Sequence, residues 1–408
     1  MTQVPPTVRR PEMKNKNGRL VALIASVAVA AVAIGGGLAY SKGPSDGAGA
    51  AVPLAAPTTP APTPGPTSAP TPSTPPVPGS KTPTPSGTPV KPAGPVKITL
   101  DLAKLSKGRD PQVPYLVGRV VRGGAGGERT IPGKAAIHAV ARARDQVFAI
   151  VEKGLGTELV KLGPGDGQAV RVPDVTALVS SADGAAAAYS TTRIGEQGEE
   201  LQGATVYAED VDGTQKLALP KAWGVRVLSV VNGNVFYEAN DTQGGASELH
   251  SWTPGEPKAQ QIKASSPTGV SPDGRLVASM GLISDGGSCT DVAEIATGKR
   301  LWKTCESSIS GFTPDGRTAF GGDAYADGYC SGTTSALDAT TGVKLREWTS
   351  CFFQTVPEDD QHLLLVVDAE NGGGADGNGQ RAIIRCDITT GTCELATPLS
   401  RSGVRIGE

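Results

Sequence analysis

Two nearly identical tight turns, 42 residues apart, constrain this sequence more than any other feature. They read Ser-Pro-Asp-Gly-Arg at 271–275 and Thr-Pro-Asp-Gly-Arg at 313–317. In each, the proline fixes φ, the aspartate accepts hydrogen bonds from the backbone that follows it, and the glycine can take a positive φ. The pattern therefore predicts a reversal between two antiparallel strands at both places.

Each of these turns opens a unit of four short strands. After the turn come an apolar strand, a glycine-rich loop and a second turn, at 296–298 in one unit and at 340–342 in the other. Units with the same layout recur along the chain, and their first turns lie at 144–145, 183–184, 232–233, 273–274, 315–316 and 358–360. A small sheet of this kind buries its faces only by stacking on its neighbours. The sequence therefore predicts an all-β fold, a β-propeller.

Two segments outside these units decide how the ring closes. A predicted hairpin over 113–131 precedes the first unit, and residues 402–406 form a short strand after the last one. A ring that did not join its ends would leave an open sheet edge, and sharing one blade between both termini removes that edge. We therefore expect seven blades, with a six-bladed ring as the alternative.

The first 40 residues have the pattern of a membrane anchor. Residues 1–19 form a basic tail, and residues 20–40 carry no charged side chain. An uncharged run of this length behind basic residues predicts one transmembrane helix with a cytoplasmic N-terminus and a single-pass protein of the cell membrane. A cleaved signal peptide, and hence a secreted protein, is the alternative.

Residues 41–96 have the composition of a stalk. They hold 17 of the 33 prolines of the chain and no aromatic residue. Such a segment cannot bury a core, and its prolines extend it. We expect a disordered Pro-rich linker that displays a propeller domain, residues 97–408, outside the cell.

Charge limits the partners of this outer domain. The chain has 38 basic and 40 acidic residues, and the N-terminal tail holds several of the basic ones, so the remainder is moderately acidic. Domains that bind nucleic acid carry a basic surface that neutralises phosphates. We therefore expect that the outer domain does not bind nucleic acid. We also expect it to be monomeric.

All six cysteines lie between positions 289 and 393, and their spacing predicts pairing across hairpins. Two pairs are equidistant from a Thr-Thr-Gly turn, and the third is half a residue from the same symmetry, which a β-bulge absorbs. Opposite positions in an antiparallel hairpin have about the separation that a disulfide needs. The expected disulfides, with free thiols or zinc ligands as the alternative, are Cys289–Cys305, Cys330–Cys351 and Cys386–Cys393. Disulfides would place the domain in an oxidising compartment.

The turn sequences resemble those of known propeller families. The segments at 271–275 and 313–317 are similar to turns of TolB-like and WD-repeat-like propellers. The segment at 293–302, which ends in Thr-Gly-Lys-Arg-Leu-Trp, resembles the outer-strand turn of quinoprotein-like propellers, in which a tryptophan docks between blades. The resemblance covers about residues 110–408 and implies a propeller of the bacterial envelope type. The tryptophan pattern is complete only once, since Trp348 stands six residues after Gly342, so no quinone cofactor is implied.

The chain contains no sequence motif of catalysis. Gly-x-Ser-x-Gly and His-Glu-x-x-His are absent, and His138, His250 and His362 each adjoin apolar strand residues, as structural histidines do. Aspartates at 210–212 and 323–327 do not complete a calcium loop. We expect a non-catalytic binding or scaffold module for a protein, peptide or glycan, without a cofactor. The alternative is a propeller enzyme of the quinoprotein-like dehydrogenase or lactonase type.

The longest predicted loops are acidic. They connect the second and third strands of each unit, so in a propeller they gather on one face. Loops on a rigid scaffold commonly carry recognition, and like charges on one face attract basic surfaces. We therefore expect a basic partner, bound in part by Asp323, Asp327, Glu370 and Asp376. Simple solvation of acidic loops is the alternative.

Overall fold

The computed structural model describes residues 94–165, 167–281, 288–325, 330–369 and 379–407. These residues form 28 strands and one short 3-10 helix, Leu102–Lys104. The predicted all-β class is therefore confirmed. The segments predicted as a basic tail and a transmembrane helix, and nearly all of the predicted stalk, lie outside the described residues. Within the described ranges, no helix has the length and apolar character that a membrane crossing requires.

The strands follow one another in chain order. The first fourteen are β1 (Lys97–Thr99), β2 (Tyr115–Val117), β3 (Val120–Arg122), β4 (Arg129–Thr130), β5 (Ile137–Ala143), β6 (Gln146–Lys153), β7 (Gly156–Leu162), β8 (Val170–Pro173), β9 (Val175–Ser180), β10 (Ala187–Ile194), β11 (Glu200–Asp210), β12 (Gly213–Leu219), β13 (Trp223–Val231) and β14 (Asn234–Asn240). The others are β15 (Glu248–Trp252), β16 (Gln260–Ser265), β17 (Pro267–Val270), β18 (Leu276–Met280), β19 (Thr290–Glu294), β20 (Arg300–Thr304), β21 (Ser307–Phe312), β22 (Thr318–Asp323), β23 (Ser331–Asp338), β24 (Lys344–Pro357), β25 (His362–Asp368), β26 (Arg381–Asp387), β27 (Cys393–Leu395) and β28 (Val404–Ile406).

These strands form four-stranded antiparallel groups in sequence order. Five sheets have four strands each: group 1 is β28-β2-β3-β4, group 2 is β5 to β8, group 3 is β9 to β12, group 4 is β13 to β16 and group 5 is β17 to β20. In the eight-stranded sheet, β24 pairs with β23 through its first part and with β25 through its second part. That sheet therefore contains group 6, β21 to β24, and group 7, β24 to β27. Repeated four-stranded sheets of this kind are consistent with a β-propeller.

Two of the predicted first turns have the expected hydrogen bonds. Between β17 and β18, the carboxylate of Asp273 accepts from the hydroxyl of Ser271 at 2.6 Å, and Gly274 has a φ of +71°. Between β21 and β22, Asp315 accepts from the hydroxyl of Thr313 at 2.8 Å. In each turn the aspartate also accepts from the N–H of the arginine that follows, at 3.0 Å, so the aspartate and glycine act as the sequence predicts and the hydroxyl residue adds a further bond.

Seven clusters of buried side chains among the described residues join consecutive groups. Each cluster contains side chains from two consecutive groups, beginning with groups 1 and 2 and continuing around the series. The last cluster contains Leu364 and Ile383 of group 7 together with Tyr115 and Ile406 of group 1. Packing therefore returns to its starting point, as a closed ring requires.

Two tryptophans connect neighbouring groups in the same way. The indole N–H of Trp302, in β20, donates to the carbonyl of Ala339 in group 6 at 2.8 Å. The indole N–H of Trp348, in β24, donates to the carbonyl of Gly391 in group 7 at 3.2 Å. The sequence pattern, complete only for Trp302, missed the second contact because it required a fixed spacing after the glycine. The strand brings Trp348 to the equivalent place despite two extra residues.

The C-terminal strand β28 completes group 1. Tyr115 lies opposite Ile406 in the ladder of β2 and β28. The side-chain amide of Gln354, in group 7, donates to the carbonyl of Ile406 at 2.8 Å and accepts from its N–H at 2.9 Å. The guanidinium of Arg405 donates to the carbonyl of Ile137, in group 2, at 2.7 Å. The last strand therefore shares one sheet with β2 to β4 from the early part of the domain, and β28 is bonded to the groups on either side.

Residues 96–110, here called the edge strap, cover the outer edges of groups 6 and 7. β1 pairs in parallel with residues 347–349 of β24, and the N–H of Gly108 donates to the carbonyl of Leu395 in β27 at 2.8 Å. Leu102 and Leu105 pack against the cluster shared by groups 6 and 7. The repeat pattern does not predict this strap, because it lies outside every repeat.

Candidate binding site

A cavity of about 610 Å³ lies where the innermost strands of all the groups meet. Each group contributes at least one lining residue from its innermost strand or from the residues directly beside that strand: Gly407, Arg142, Val179, Val227, Val270, Phe312 and Val356. The lining is divided almost evenly between polar and apolar surface, and it includes five charged side chains and several hydroxyl groups. The volume is typical of small-molecule sites.

Arg142, on β5, is the charged residue most deeply buried in the cavity wall, at 3% exposure. Its guanidinium donates to the carbonyls of Val121 at 3.1 Å, Ala125 at 3.0 Å and Gly127 at 2.7 Å. Burial, followed by repulsion from Arg129, lowers the pKa of Arg142, although attraction to an aspartate opposes this. The guanidinium is held by neutral backbone groups alone.

The glycine-rich segment at 123–127 forms the loop around Arg142. Gly123, Gly124 and Gly126 all have a positive φ. A Cβ atom on Gly126 would lie 2.8 Å from Nη1 of Arg142, so a larger residue would displace the guanidinium. The sequence predicts a turn here, which is correct. Its second role, as a carbonyl cradle, was missed, although an arginine within the apolar strand Ile137–Ala143 was the available signal.

Both carboxylates in the cavity lining accept hydrogen bonds from the protein. Asp183 accepts from the hydroxyl of Ser181 at 2.6 Å and from the N–H of Ala185 at 3.0 Å. Glu358 accepts two hydrogen bonds from the guanidinium of the buried Arg385, one of them at 2.8 Å. Burial disfavours the charge of Arg385, but the hydrogen bonds and charges of its carboxylate partners raise its pKa above the ordinary value. These carboxylates are therefore committed to the protein itself.

The acidic loops do not present all of their carboxylates to solvent. Asp323 accepts hydrogen bonds from the N–H groups of Gly332 at 2.7 Å and Thr333 at 3.1 Å, and from the hydroxyls of Ser331 and Thr333. Asp323 therefore stabilises the conformation of its own loop, which agrees with the alternative that these loops are acidic without binding a partner. Asp327, Glu370 and Asp376 lie outside the described residues.

Other acidic residues of the same loops divide into two kinds. Glu199 accepts from the N–H of Gln197 at 3.0 Å, and Glu200 accepts from the N–H of Gly224 at 2.6 Å. Glu196 and Asp241 are exposed, in a stretch where the second and third strands of groups 3 and 4 connect. Part of the acidic character is therefore structural and part is accessible to a partner.

The histidines occupy unlike surroundings. Nδ1 of His362 lies 2.8 Å from a carboxylate oxygen of Asp359, and its Nε2 lies 3.8 Å from Asp387. His250 stacks on Tyr237, with ring centroids 5.1 Å apart, and burial lowers its pKa. His138 is exposed on β5. Within the described ranges, no three His, Cys, Asp or Glu side chains form a group that could hold a metal ion.

All six cysteines are described and paired. The bonds are Cys289–Cys305, Cys330–Cys351 and Cys386–Cys393, the pairs that hairpin symmetry predicts. The third pair is directly opposite in the ladder of β26 and β27. A bulge interrupts the ladder of β19 and β20, which accounts for the half-residue offset of the first pair. Each bridge therefore lies within one sheet group and does not join neighbours.

No family model matches the sequence, and no curated protein matches it. Similar solved structures include an uncharacterized protein from Listeria monocytogenes EGD-e, 13% identical over 66% of this chain and 85% of that chain, with a TM-score of 0.43. TolB from Acinetobacter baumannii is 12% identical over 58% of this chain and 66% of that chain, with a TM-score of 0.38. The β-propeller domain of the Trilobed protease from Pyrococcus furiosus is 9% identical over 65% of this chain and 99% of that chain, with a TM-score of 0.43. Since these similarities are weak, the strand order and the circular packing carry the fold.

Proposed function

We propose that this chain is a membrane-anchored, extracytoplasmic β-propeller of seven blades, similar in type to the TolB-like propellers of the bacterial envelope. Each four-stranded group corresponds to one blade, and the circular order of the buried clusters supports the count. The outer domain is monomeric. Its function is to bind a protein, peptide or glycan without catalysing a reaction.

The central cavity is the observation that carries this proposal. Its volume of about 610 Å³ lies within the range of ligand sites, about 300–1,000 Å³. Strands of every group bound it, so the walls are held by the ladders and clusters that stabilise the whole domain. A ligand would therefore meet a preformed site, which reduces the entropy that binding costs.

Disulfides and sequence together support the location. Disulfides persist in oxidising compartments, and this domain pairs all six of its cysteines. The uncharged run at 20–40 supplies the anchor that the sequence predicts. The stalk at 41–96 then separates the domain from the membrane surface.

A photo-crosslinking side chain in place of Ser229, which lines the cavity, tests the binding function in intact cells. The matched control places the same side chain at Lys263, exposed on the outer strand β16. We expect a crosslinked species from the cavity position and none from the outer position. Equal capture at both positions, or none at the cavity, would contradict the proposal. A metal or quinone found in the purified protein by elemental analysis or absorption would favour the enzyme alternative.

The acidic loops are proposed to attract a basic partner. Replacement of Asp327, Glu370 and Asp376 by Asn or Gln should weaken its binding and flatten the salt dependence, because fewer charges act at the encounter. Asp323 belongs to the same set, but its replacement should also lower stability, since four hydrogen-bond donors of its loop depend on it. An affinity that ignores both the triple replacement and ionic strength would show that this face is only solvated surface.

A further inference from the structure

The cavity wall contains two guanidinium groups, Arg142 and Arg144, that form no ion pair with a carboxylate of the described residues. Of the five N–H donors on a guanidinium, Arg142 uses three on backbone carbonyls. Its Nε has no hydrogen-bond partner among the described residues. Buried charges are ordinarily paired with an opposite charge. Arg142 is therefore unusual, because it is a buried cation in the cavity wall that forms no ion pair.

Arg144 adds a second guanidinium to the same wall. It stands two residues after Arg142, at the turn that follows β5, and its Nε donates to the carbonyl of Ala185 at 3.3 Å. Within the described ranges, neither arginine forms an ion pair with a carboxylate. Asp183 lies near enough for its charge to attract Arg144, and the hydrogen bonds from its own turn both go to its Oδ1.

The remaining charges of the lining cancel within the protein. Glu358 is held by Arg385, and the guanidinium of Arg226 donates to Glu238 at 2.6 Å. Once these pairs are set aside, the charged lining residues that remain are Arg142, Arg144 and Asp183, so the two guanidinium groups outnumber the single carboxylate. Three glycines with positive φ shape the cradle of Arg142, so this cation is built into the fold.

We propose that the cavity binds a ligand through a carboxylate group, which lies against Arg142 and Arg144 while the apolar lining receives the body of the ligand. Planar guanidinium groups match carboxylates with directed, charge-assisted hydrogen bonds. Val179 and Phe312 supply apolar surface elsewhere in the lining of the same cavity. This inference rests on the proposed binding function and names the chemistry that the site recognises.

Calorimetric titration of the full-length protein with two matched pairs of probes tests the inference. One pair is N-acetyl-Val-Ala with a free carboxylate and its C-terminal amide, and the other is glucuronate and glucose. We expect the carboxylate member of at least one pair to bind about tenfold more tightly than its neutral partner, since a charged hydrogen bond contributes about that much. The pair that shows the difference identifies a peptide or a sugar acid as the source.

Variants of Arg144 separate charge from folding. R144Q should lose the preference for the carboxylate, and R144K should keep part of it because the charge remains. R401Q removes a matched exposed arginine outside the cavity and should change nothing. Thermal melts of the three variants verify that each is folded.

Two outcomes would overturn the inference. One is that neither carboxylate binds better than its neutral partner, and the other is that R144Q and R401Q bind alike. If the crosslinker at Ser229 still captures a ligand in either case, the binding function stands and only the carboxylate chemistry is wrong. If that crosslinker captures nothing, the binding function itself fails.

Discussion

The strand that closes the ring gives the sharpest test of the fold. Val404, in β28, is 3% exposed and packs in the cluster that joins groups 7 and 1. Val404→Ala removes two methyl groups, each worth about 0.8 kcal/mol when buried, and leaves a small cavity. We therefore expect the free energy of unfolding to fall by about 2–3 kcal/mol. Urea titration measures this as a lower midpoint with an unchanged slope.

Val170→Ala is the matched control, because Val170 lies in a strand of similar length but is 58% exposed. Its effect should stay within about 0.5 kcal/mol. Removal of residues 400–408 should lower the stability of the whole domain, since it leaves β2 without a partner on one side. If Val404→Ala and Val170→Ala unfold at the same urea concentration, β28 does not close the ring.

Three further outcomes can be measured on the same protein. Peptide mapping without reduction should recover the three disulfides Cys289–Cys305, Cys330–Cys351 and Cys386–Cys393. Free thiols, or bridges between different hairpins, would contradict this pairing. Gly342→Ala should cost more stability than Gly298→Ala. Both glycines have a positive φ, but only at Gly342 would the new Cβ lie against the Trp302 ring, at 2.7 Å. Equal losses of stability would mean that the indole ring moves aside at no cost. Burial disfavours the carboxylate of Asp338, but hydrogen bonds from Thr340 and the next residue outweigh it and lower its pKa. A carboxylate whose pKa is lowered on folding stabilises the fold at pH values above its unfolded pKa, and this stabilisation is lost as the pH falls. The loss of stability caused by Asp338→Asn should therefore become smaller below about pH 4. A loss that stays the same at all pH values would refute this role.

The fold could be predicted from the sequence where local chemistry sets it. The Pro-Asp-Gly turns form as expected because their bonds involve only residues within the turn, such as Asp273 and Ser271. Trp348 was missed because its docking depends on where β24 places it beside group 7. β1 was missed because three residues, Lys97–Thr99, have no periodicity, and their pairing follows from an edge that only the folded sheet creates.

The candidate site was less predictable for a physical reason. The sequence shows that Asp323 belongs to an acidic loop, but its hydrogen bonds follow from the conformation of that loop, which composition does not determine. Arg142 likewise acquires its meaning from residues 121–127, which approach it only after groups 1 and 2 pack. The number of charged residues can be read from the sequence. Which of them form hydrogen bonds or ion pairs within the protein depends on tertiary contacts.

The edge strap has a practical consequence for fragments of this protein. A fragment that began at Pro111 would keep every strand of groups 1 to 7. It would nevertheless bare the backbone donors and acceptors of β24 at 347–349 and of β27, which the strap now satisfies. Unpaired strand edges recruit strands of other molecules and lead to aggregation. A soluble fragment of this domain should therefore begin no later than Val96, so that the whole edge strap is kept.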